Sequence, residues 1–422
     1  MNLAIMHEWF ESYAGSERVV EQLLHTFPSA EVHALVDFLK GADRDALQGK
    51  DVETSFIQRL PFARKQFRNY LPLMPMAVEQ FDLSGYDTVI SSNHAFAKGI
   101  ITRPDQMHVS YVHTPIRYAW ELQHDYLRQA NLTRGLKGMF VRATLHYLRN
   151  WDRMTSDRVD AYVANSHYIA ARIRKTYRRP AYVIHPPVDI NQFAVETSKD
   201  DFYLTASRMV PYKRIDLIVE AFAKMPDRRL VVIGDGPEMK KIAAKATPNV
   251  ELLGYQPFDV LLQHMQKARA FVFAAEEDFG IMPVEAQACG TPVIAFGRGG
   301  IRETVVEGRT GLFFQQQTAD AIQEAVEAFD SCREKMHPLA IRANAERFGP
   351  ERFRRQMWKL VDRLWQRFQK CQSSENGAAA SRRPFPLDPR PGTRKRVSLA
   401  RRRDTATELS GQERLARVRK VG

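Results

Sequence analysis

Short apolar, β-branched runs alternate with longer stretches of helical spacing along most of the chain. Runs at residues 3–6, 31–36, 88–91, 108–112, 161–164 and 181–184 predict strands. A second series follows at residues 202–205, 230–233, 250–253, 271–274, 293–296 and 312–314. Helical spacing separates most of them, as at residues 16–25, 215–224 and 319–329. Strand alternating with helix predicts parallel, doubly wound sheets, and two series predict two domains. The break falls in HPPVDINQFAVETSKDD, residues 185–201, where prolines give way to a polar stretch. The expected organisation is a first domain over 1–190, a second over 191–350, a terminal helix over 351–371 packed back on the body, and a tail over 372–422. No repeat of 20–50 residues is present in the sequence.

Three segments depart from this alternation. Residues 55–76, SFIQRLPFARKQFRNYLPLMPM, mix Arg and Lys with Phe, Tyr, Leu and Met. That composition fits either an interfacial surface for anionic lipid headgroups or an irregular helical insertion packed on the first domain. Residues 351–370 carry Phe353, Met357, Leu360, Leu364 and Trp365 at helical spacing with a cationic opposite face. Beyond Cys371 the chain turns to Pro, Gly, Ser and Arg with no apolar period, the composition of a disordered basic tail.

Composition narrows the class. At 422 residues the chain exceeds one typical core. Hydrophobic content of 44% and a mean hydropathy of -0.40 describe a soluble globular protein. The longest apolar runs, such as Leu230-Val231-Val232-Ile233, are strand-length and far below a membrane span. The opening MNLAIMHEW has no cationic region of the signal-peptide kind. Cys289, Cys332 and Cys371 are odd in number and lack metal-like spacing, which points to a reducing, cytoplasmic compartment. The net charge is +13, but residues 372–422 hold 13 Lys and Arg against 5 Asp and Glu, leaving about +5 for the rest. The basicity is therefore mostly a tail property, and no specific nucleic-acid partner is expected from it.

The densest chemistry lies in AEEDFGIMPVEAQACGTP, residues 275–292. An apolar strand runs into three acids, turns through Phe279-Gly280, and enters a helix in which Pro283 suits the first turn. Glu277 then sits at a strand's C-terminal end, where open α/β sheets bind ligands, and Glu285 falls in the first helical turn. The amides of 278–282 lie at a positive helix end, and two carboxylates can each accept two hydroxyls of a diol. A nucleotide sugar is diol-rich and anionic. Earlier, YLTASRMVPYKRIDL places Arg208, Lys213 and Arg214 at a strand-to-helix turn suited to a diphosphate. GDGPE (234–238) and Gly299-Gly300 are further turns after strands of the same series. In the first series, Ala14-Gly15-Ser16 opens a helix, with Gly15 permitting close backbone approach. HVSYVHTP puts His113 at a strand end, where a satisfied loop histidine is the simple alternative; SSNHAFAKG is a comparable end bearing Asn93 and His94. There is no Walker lysine loop and no HExxH, and the single Asp-x-Asp, Asp43-Arg44-Asp45, lies in a polar segment, so no metal and no cofactor are expected.

Taken together these residues resemble retaining glycosyltransferases of family 4, over roughly residues 1–370. The match is carried by the family's Glu-x7-Glu pattern, here Glu277-Asp278-Phe279-Gly280-Ile281-Met282-Pro283-Val284-Glu285, with ASRMVPYKR, GDGPE and AGSERVV beside it. Ala14 stands where the family has the first glycine of its Gly-Gly loop. The resemblance implies the GT-B fold: two Rossmann-like doubly wound α/β domains facing across a cleft, to which this chain adds the disordered basic C-terminal tail. It implies that Glu285 holds the ribose hydroxyls, and that Glu277 with the amides of Phe279, Gly280 and Ile281 holds the donor sugar. It implies further that Arg208 and Lys213 neutralise the departing diphosphate, that the Gly15 loop meets the sugar phosphate, and that His113 contacts the sugar near the reacting carbon. SYVHTPIRYAW, ANSHYIAARIRKTY and YVIHPPVD look most like a bacterial subgroup that adds mannose from GDP-mannose to lipid-linked O-antigen or exopolysaccharide intermediates. The expected partners are thus a nucleotide-sugar donor, a lipid-linked saccharide acceptor and an anionic membrane surface, met peripherally on the inner face of the cytoplasmic membrane. Alternatives of other classes are a nucleotide-sugar epimerase, a phosphorylase, and a nucleotide-sugar-binding protein that transfers nothing.

Overall fold

The computed structural model describes residues 1–375; the rest of the expected tail lies outside the described residues. The first seven strands are β1 (Leu3–His7), β2 (Glu31–Ala34), β3 (Val52–Thr54), β4 (Thr88–Asn93), β5 (Met107–Val112), β6 (Ala161–Ala164) and β7 (Ala181–Val183). They form one parallel sheet ordered β3-β2-β1-β4-β5-β6-β7. The next six are β8 (Tyr203–Ala206), β9 (Leu230–Ile233), β10 (Val250–Gly254), β11 (Ala270–Phe273), β12 (Val293–Phe296) and β13 (Gly311–Phe314). They form a second parallel sheet ordered β10-β9-β8-β11-β12-β13. The expected pair of doubly wound α/β domains is present.

Both orders reverse direction once, between β1 and β4 in the first sheet and between β8 and β11 in the second. A crevice opens outside the strands' carboxyl ends at such a reversal. The sheets are buried on both faces, so β1, β4, β5, β6, β8, β9, β11 and β12 are buried along their whole length. That is why most of them read as apolar runs, with β4 and β5 adding buried Ser91, Ser92, Asn93, His108 and Ser110. β3 escapes the pattern because it is three residues long, lies at the sheet edge and contributes only Val52 as an apolar residue.

Residues 56–79 fold as four short helical pieces, Phe56–Arg59, Ala63–Gln66, Phe67–Leu73 and Met74–Glu79. Pro61, Pro72 and Pro75 fall at their breaks or inside them. Ile57, Phe67 and Met74 are buried in the first domain's core, while Phe62 is left 76% exposed. The segment is therefore a packed insertion with apolar groups on its outer face. The last helix, Pro350–Glu375, runs past Cys371 and returns to the first domain. Phe353, Met357, Leu360, Leu364 and Phe368 complete the core beneath the Gly15–Thr26 helix.

Candidate active site

In the second domain, the ends of three neighbouring strands, β8, β11 and β12, bring their loops together. β11 leads into Glu276-Glu277-Asp278, and β12 leads into Arg298-Gly299-Gly300. Gly300 N donates to the Glu277 carbonyl at 2.8 Å. A Cβ on Gly300 would overlap the Asp278 carbonyl, so only glycine lets the two loops approach this closely. The helix Ile281–Ala288 starts directly after Gly280, and its first amides have no intrahelical partner. Phe279 is buried and packs its ring 5.4 Å from that of Phe348 and 5.6 Å from that of His185, fixing the turn. Glu285 is the fifth residue of this helix, one turn deeper than the sequence pattern placed it.

Lys213, at the end of the β8 loop, forms an ion pair with Glu277, and both are largely buried. Burial pushes the Lys213 ammonium down to about 8, with Arg117 adding to the shift and Asp278 opposing it. Arg208, on the same loop, is exposed and faces a cavity of about 930 Å³ between the domains. That cavity is lined by Arg117, Tyr126 and Tyr168 from the first domain and by Arg208, Tyr212 and Glu276 from the second.

The first domain presents its own switch point to this surface. A Cβ on Gly15 would stand 2.9 Å from the Ile281 side chain, so the β1 loop touches the start of the Ile281–Ala288 helix. Arg18, one turn later, donates to Glu285 at 2.6 Å, with Glu285 buried. His113 follows β5. Its Nε2 lies 2.9 Å from the Ser92 hydroxyl, which also lies 3.1 Å from His7 Nδ1. Burial holds His113 well below its ordinary range, so it is neutral at physiological pH. The His113 carbonyl accepts from Asn165 at 2.9 Å, the Asn165 side-chain oxygen lies 3.0 Å from the Ser166 hydroxyl, and Ser166 donates its one hydroxyl proton to the Asp278 carbonyl at 2.6 Å. Two side-chain links therefore tie the His113 turn to the loop that bears Glu277.

Further ion pairs close the seam. Arg172 donates to Asp278 at 2.9 Å and to Thr114, the neighbour of His113, at 2.8 Å. Burial raises the Asp278 carboxyl, and Arg117 and Arg172 oppose that rise. Tyr168 donates its hydroxyl to Glu276 at 2.9 Å. Glu303 accepts from the amides of His167 and Tyr168 and lies 2.9 Å from His185 Nε2. Burial alone would raise the Glu303 carboxyl, but His185 and those amides hold it below the usual range.

The sequence-predicted residues thus fall at the two switch points. Gly15 meets Ile281, Lys213 meets Glu277, and Arg208 faces the cavity. His113 reaches the group only through Asn165 and Ser166. Sequence reasoning missed Arg18, Arg117, Tyr168 and Arg172, all from the first domain. Tyr168 and Arg172 share a helix face by their four-residue spacing in SHYIAARI, which was the one available signal. Asp43 and Asp45 stand apart from this site: Asp43 accepts from the Tyr13 amide at 3.2 Å. Among the described residues no cluster of three or more His, Cys, Asp or Glu side chains is placed to hold a metal ion.

The fold agrees with what the chain is similar to. The Glycosyltransferase Family 4 model matches residues 13–192, and the Glycosyl transferases group 1 model matches residues 189–346. An uncharacterized glycosyltransferase of Methanocaldococcus jannaschii is 30% identical over 172 residues, 40% of this chain and 48% of that protein. A GDP-mannose-dependent monoacylated alpha-(1-6)-phosphatidylinositol monomannoside mannosyltransferase of Corynebacterium glutamicum is 29% identical over 203 residues, 41% of this chain and 53% of that protein. The matched region therefore spans about half the length of these curated relatives. The crystal structure of Anabaena HepE in complex with UDP superposes with a TM-score of 0.62 at 18% identity, covering 86% of this chain and 100% of that one.

Proposed function

Because the chain belongs to glycosyltransferase family 4, we propose that it moves a sugar, with retention, from a nucleotide-sugar donor to a saccharide acceptor in the cleft between its GT-B domains. The observation that carries this reading is the meeting of Lys213 with Glu277 beside the open amides of Phe279, Gly280 and Ile281. A largely buried cation brought from another loop onto a carboxylate four residues before a helix N-terminus suits a sugar diphosphate better than any neutral ligand. Glu277 and the amides hold the donor sugar's hydroxyls. Glu285, kept in place by Arg18, accepts from the ribose.

In the reaction the acceptor hydroxyl oxygen bonds to the anomeric carbon as the carbon–oxygen bond to the diphosphate breaks. The acceptor's proton passes to the departing phosphate oxygen on the same face. Arg208 and Lys213 stabilise the charge that develops on that oxygen. His113, neutral through burial, serves as a hydrogen-bonding partner near the reacting carbon rather than as a cation. Glu277 is paired to Lys213 rather than set opposite a second catalytic carboxylate, so the residues suit charge stabilisation better than a glycosidase mechanism.

The donor is read as GDP-mannose, supported by the Corynebacterium glutamicum relative's stated dependence on it. The acceptor is read as a lipid-linked saccharide of cell-surface polysaccharide synthesis, met at the inner face of the cytoplasmic membrane. The assigned domains are 1–190 for the acceptor and 191–350 for the donor. The test is nucleotide release by the purified protein across GDP- and UDP-sugars, with and without a lipid-linked oligosaccharide extract and in excess EDTA. Release from one donor, stimulated by extract and persisting in EDTA, is expected. Release that needs added Mg²⁺ or Mn²⁺ contradicts the metal-free step. Interconversion of the donor without any acceptor identifies an epimerase, and binding without turnover identifies a protein that transfers nothing.

A further inference from the structure

The helix Gly135–Met154 buries one face and leaves the other bare. Leu145, Leu148 and Trp151 enter the first domain's core. On the opposite side, Leu136, Phe140, Ala143, Tyr147, Asn150 and Met154 recur every three or four residues, a single stripe about 27 Å long. Its apolar members are far out of the protein: Leu136 is 80% exposed, Phe140 66% and Met154 75%, with Met139 beside them at 60%. An isolated exposed leucine needs no explanation, but a continuous row does.

Charge identifies what covers the row. Residues 126–154 contain six Lys and Arg against one acid, Asp152; two of the six, Arg128 and Arg153, pair with Asp125 and Asp157 just outside that span. Asp152 is fully buried and engaged by Lys98, so no carboxylate of this helix reaches the surface. Arg134 and Lys137 are exposed and form no ion pair among the described residues. A second copy of the chain docked on the same face would set cations against cations. An anionic bilayer surface supplies both an apolar layer for Leu136, Met139 and Phe140 and phosphates for the flanking cations. The insertion 56–79 packs on the same core cluster and adds exposed Phe62 and Met76 with Arg64 and Lys65. No helix among the described residues is long and apolar enough to cross a membrane, so the contact lies along the surface.

We infer that this face of the first domain docks on anionic lipid, with the Gly135–Met154 helix lying in the bilayer interface. The inference deepens the membrane-side reading above and rests on it for its purpose. The preceding helix, Gln123–Gln129, contributes Tyr126 to the cleft, so docking here brings the cleft's first-domain wall close to the membrane.

Flotation of the full chain with phosphatidylcholine vesicles, and with the same vesicles containing phosphatidylglycerol, tests it. Binding is expected to the second alone, and Leu136→Glu with Phe140→Glu should weaken it about tenfold or more. Both side chains are solvent-exposed, so the melting temperature should hold; Arg134→Glu with Lys137→Glu touches no core residue and should weaken binding as well. Equal binding by the variants, or none by the wild type to either vesicle, overturns the inference. So does a dimer in solution that the Leu136 and Phe140 changes dissolve. The readout needs no catalysis. Vesicle binding without turnover of any donor would leave docking intact and remove the transferase reading, whereas turnover without vesicle binding would do the reverse.

Discussion

The two domains repeat one plan, a parallel sheet reversing beside its central strand, and their strand ends are furnished differently. In the first domain the polar groups at the switch point are engaged with one another. His7, Ser92 and His113 form one row, and the Glu8 carboxylate accepts from the amides of residues 94–97. In the second domain the corresponding ends carry Arg208, Lys213, Glu277 and a helix N-terminus, groups suited to an anionic ligand. The outer surfaces differ in the opposite sense. The first domain exposes a row of large apolar side chains along the Gly135–Met154 helix and others at Phe62 and Met76, while the second exposes few, Tyr255 and Phe258 among them. Under the proposed function, the second domain holds the charged donor and the first meets the surface that delivers the acceptor.

The largest effect should follow from removing a charge in the second domain. Lys213→Ala should lower kcat/KM for the donor by about 10²–10³, as loss of a preorganised stabilising group does. Wild-type turnover in that variant would break the assignment of the second domain as the donor side. Next, Gly300→Ala forces a Cβ into the Asp278 carbonyl and must shift the loop that carries Glu277. Misplacement of about 1 Å can cost about 10² in rate; steady-state kinetics beside a thermal melt would separate this from unfolding. Glu285→Ala should raise donor KM about tenfold through loss of charge-assisted hydrogen bonds, with kcat less affected. An unchanged KM contradicts the ribose role.

A smaller effect concerns pH. Burial holds Lys213 near 8, so its positive charge is present below that value and is lost as pH rises through it. Donor kcat/KM should therefore fall on the alkaline side with an apparent pKa near or somewhat above 8. Lys213→Arg keeps a charge at all these values and should remove that limb. An alkaline limb unchanged in the arginine variant would assign it to another group. The smallest effect sharpens the comparison of surfaces: Tyr255→Ser with Phe258→Ser, in the second domain, should leave vesicle binding where it was.

Legibility in the sequence followed the same division. The second domain could be read almost strand by strand, because each strand is a short run, fully buried in β8, β9, β11 and β12, followed by a Gly, Pro or charged turn. Glu277, Lys213 and Glu285 were visible because they lie at fixed offsets along one such run or turn. The first domain was harder. β3 is too short to show a period, and the insertion 56–79 is broken by prolines into pieces shorter than a helical pattern. Arg18 lies within AGSERVV, but its partner Glu285 lies 267 residues away, a distance no local pattern spans. Arg172 and Asp278 likewise form their pair only when the two sheets face each other. The exposed stripe of the Gly135–Met154 helix was invisible for a different reason. Its apolar positions have ordinary helical spacing on both sides, and only burial tells which side is core.

The most direct test of the central claim, that Glu277 and its neighbours hold a nucleotide sugar for transfer, is donor turnover by wild type beside Glu277→Ala. The side chain lies at the cleft and in no core cluster, so the variant should melt as the wild type does. The expected result is nucleotide release from a single donor that falls about 10²-fold or more in the variant. Equal turnover by the two proteins, with the same donor and the same melting temperature, would contradict the account.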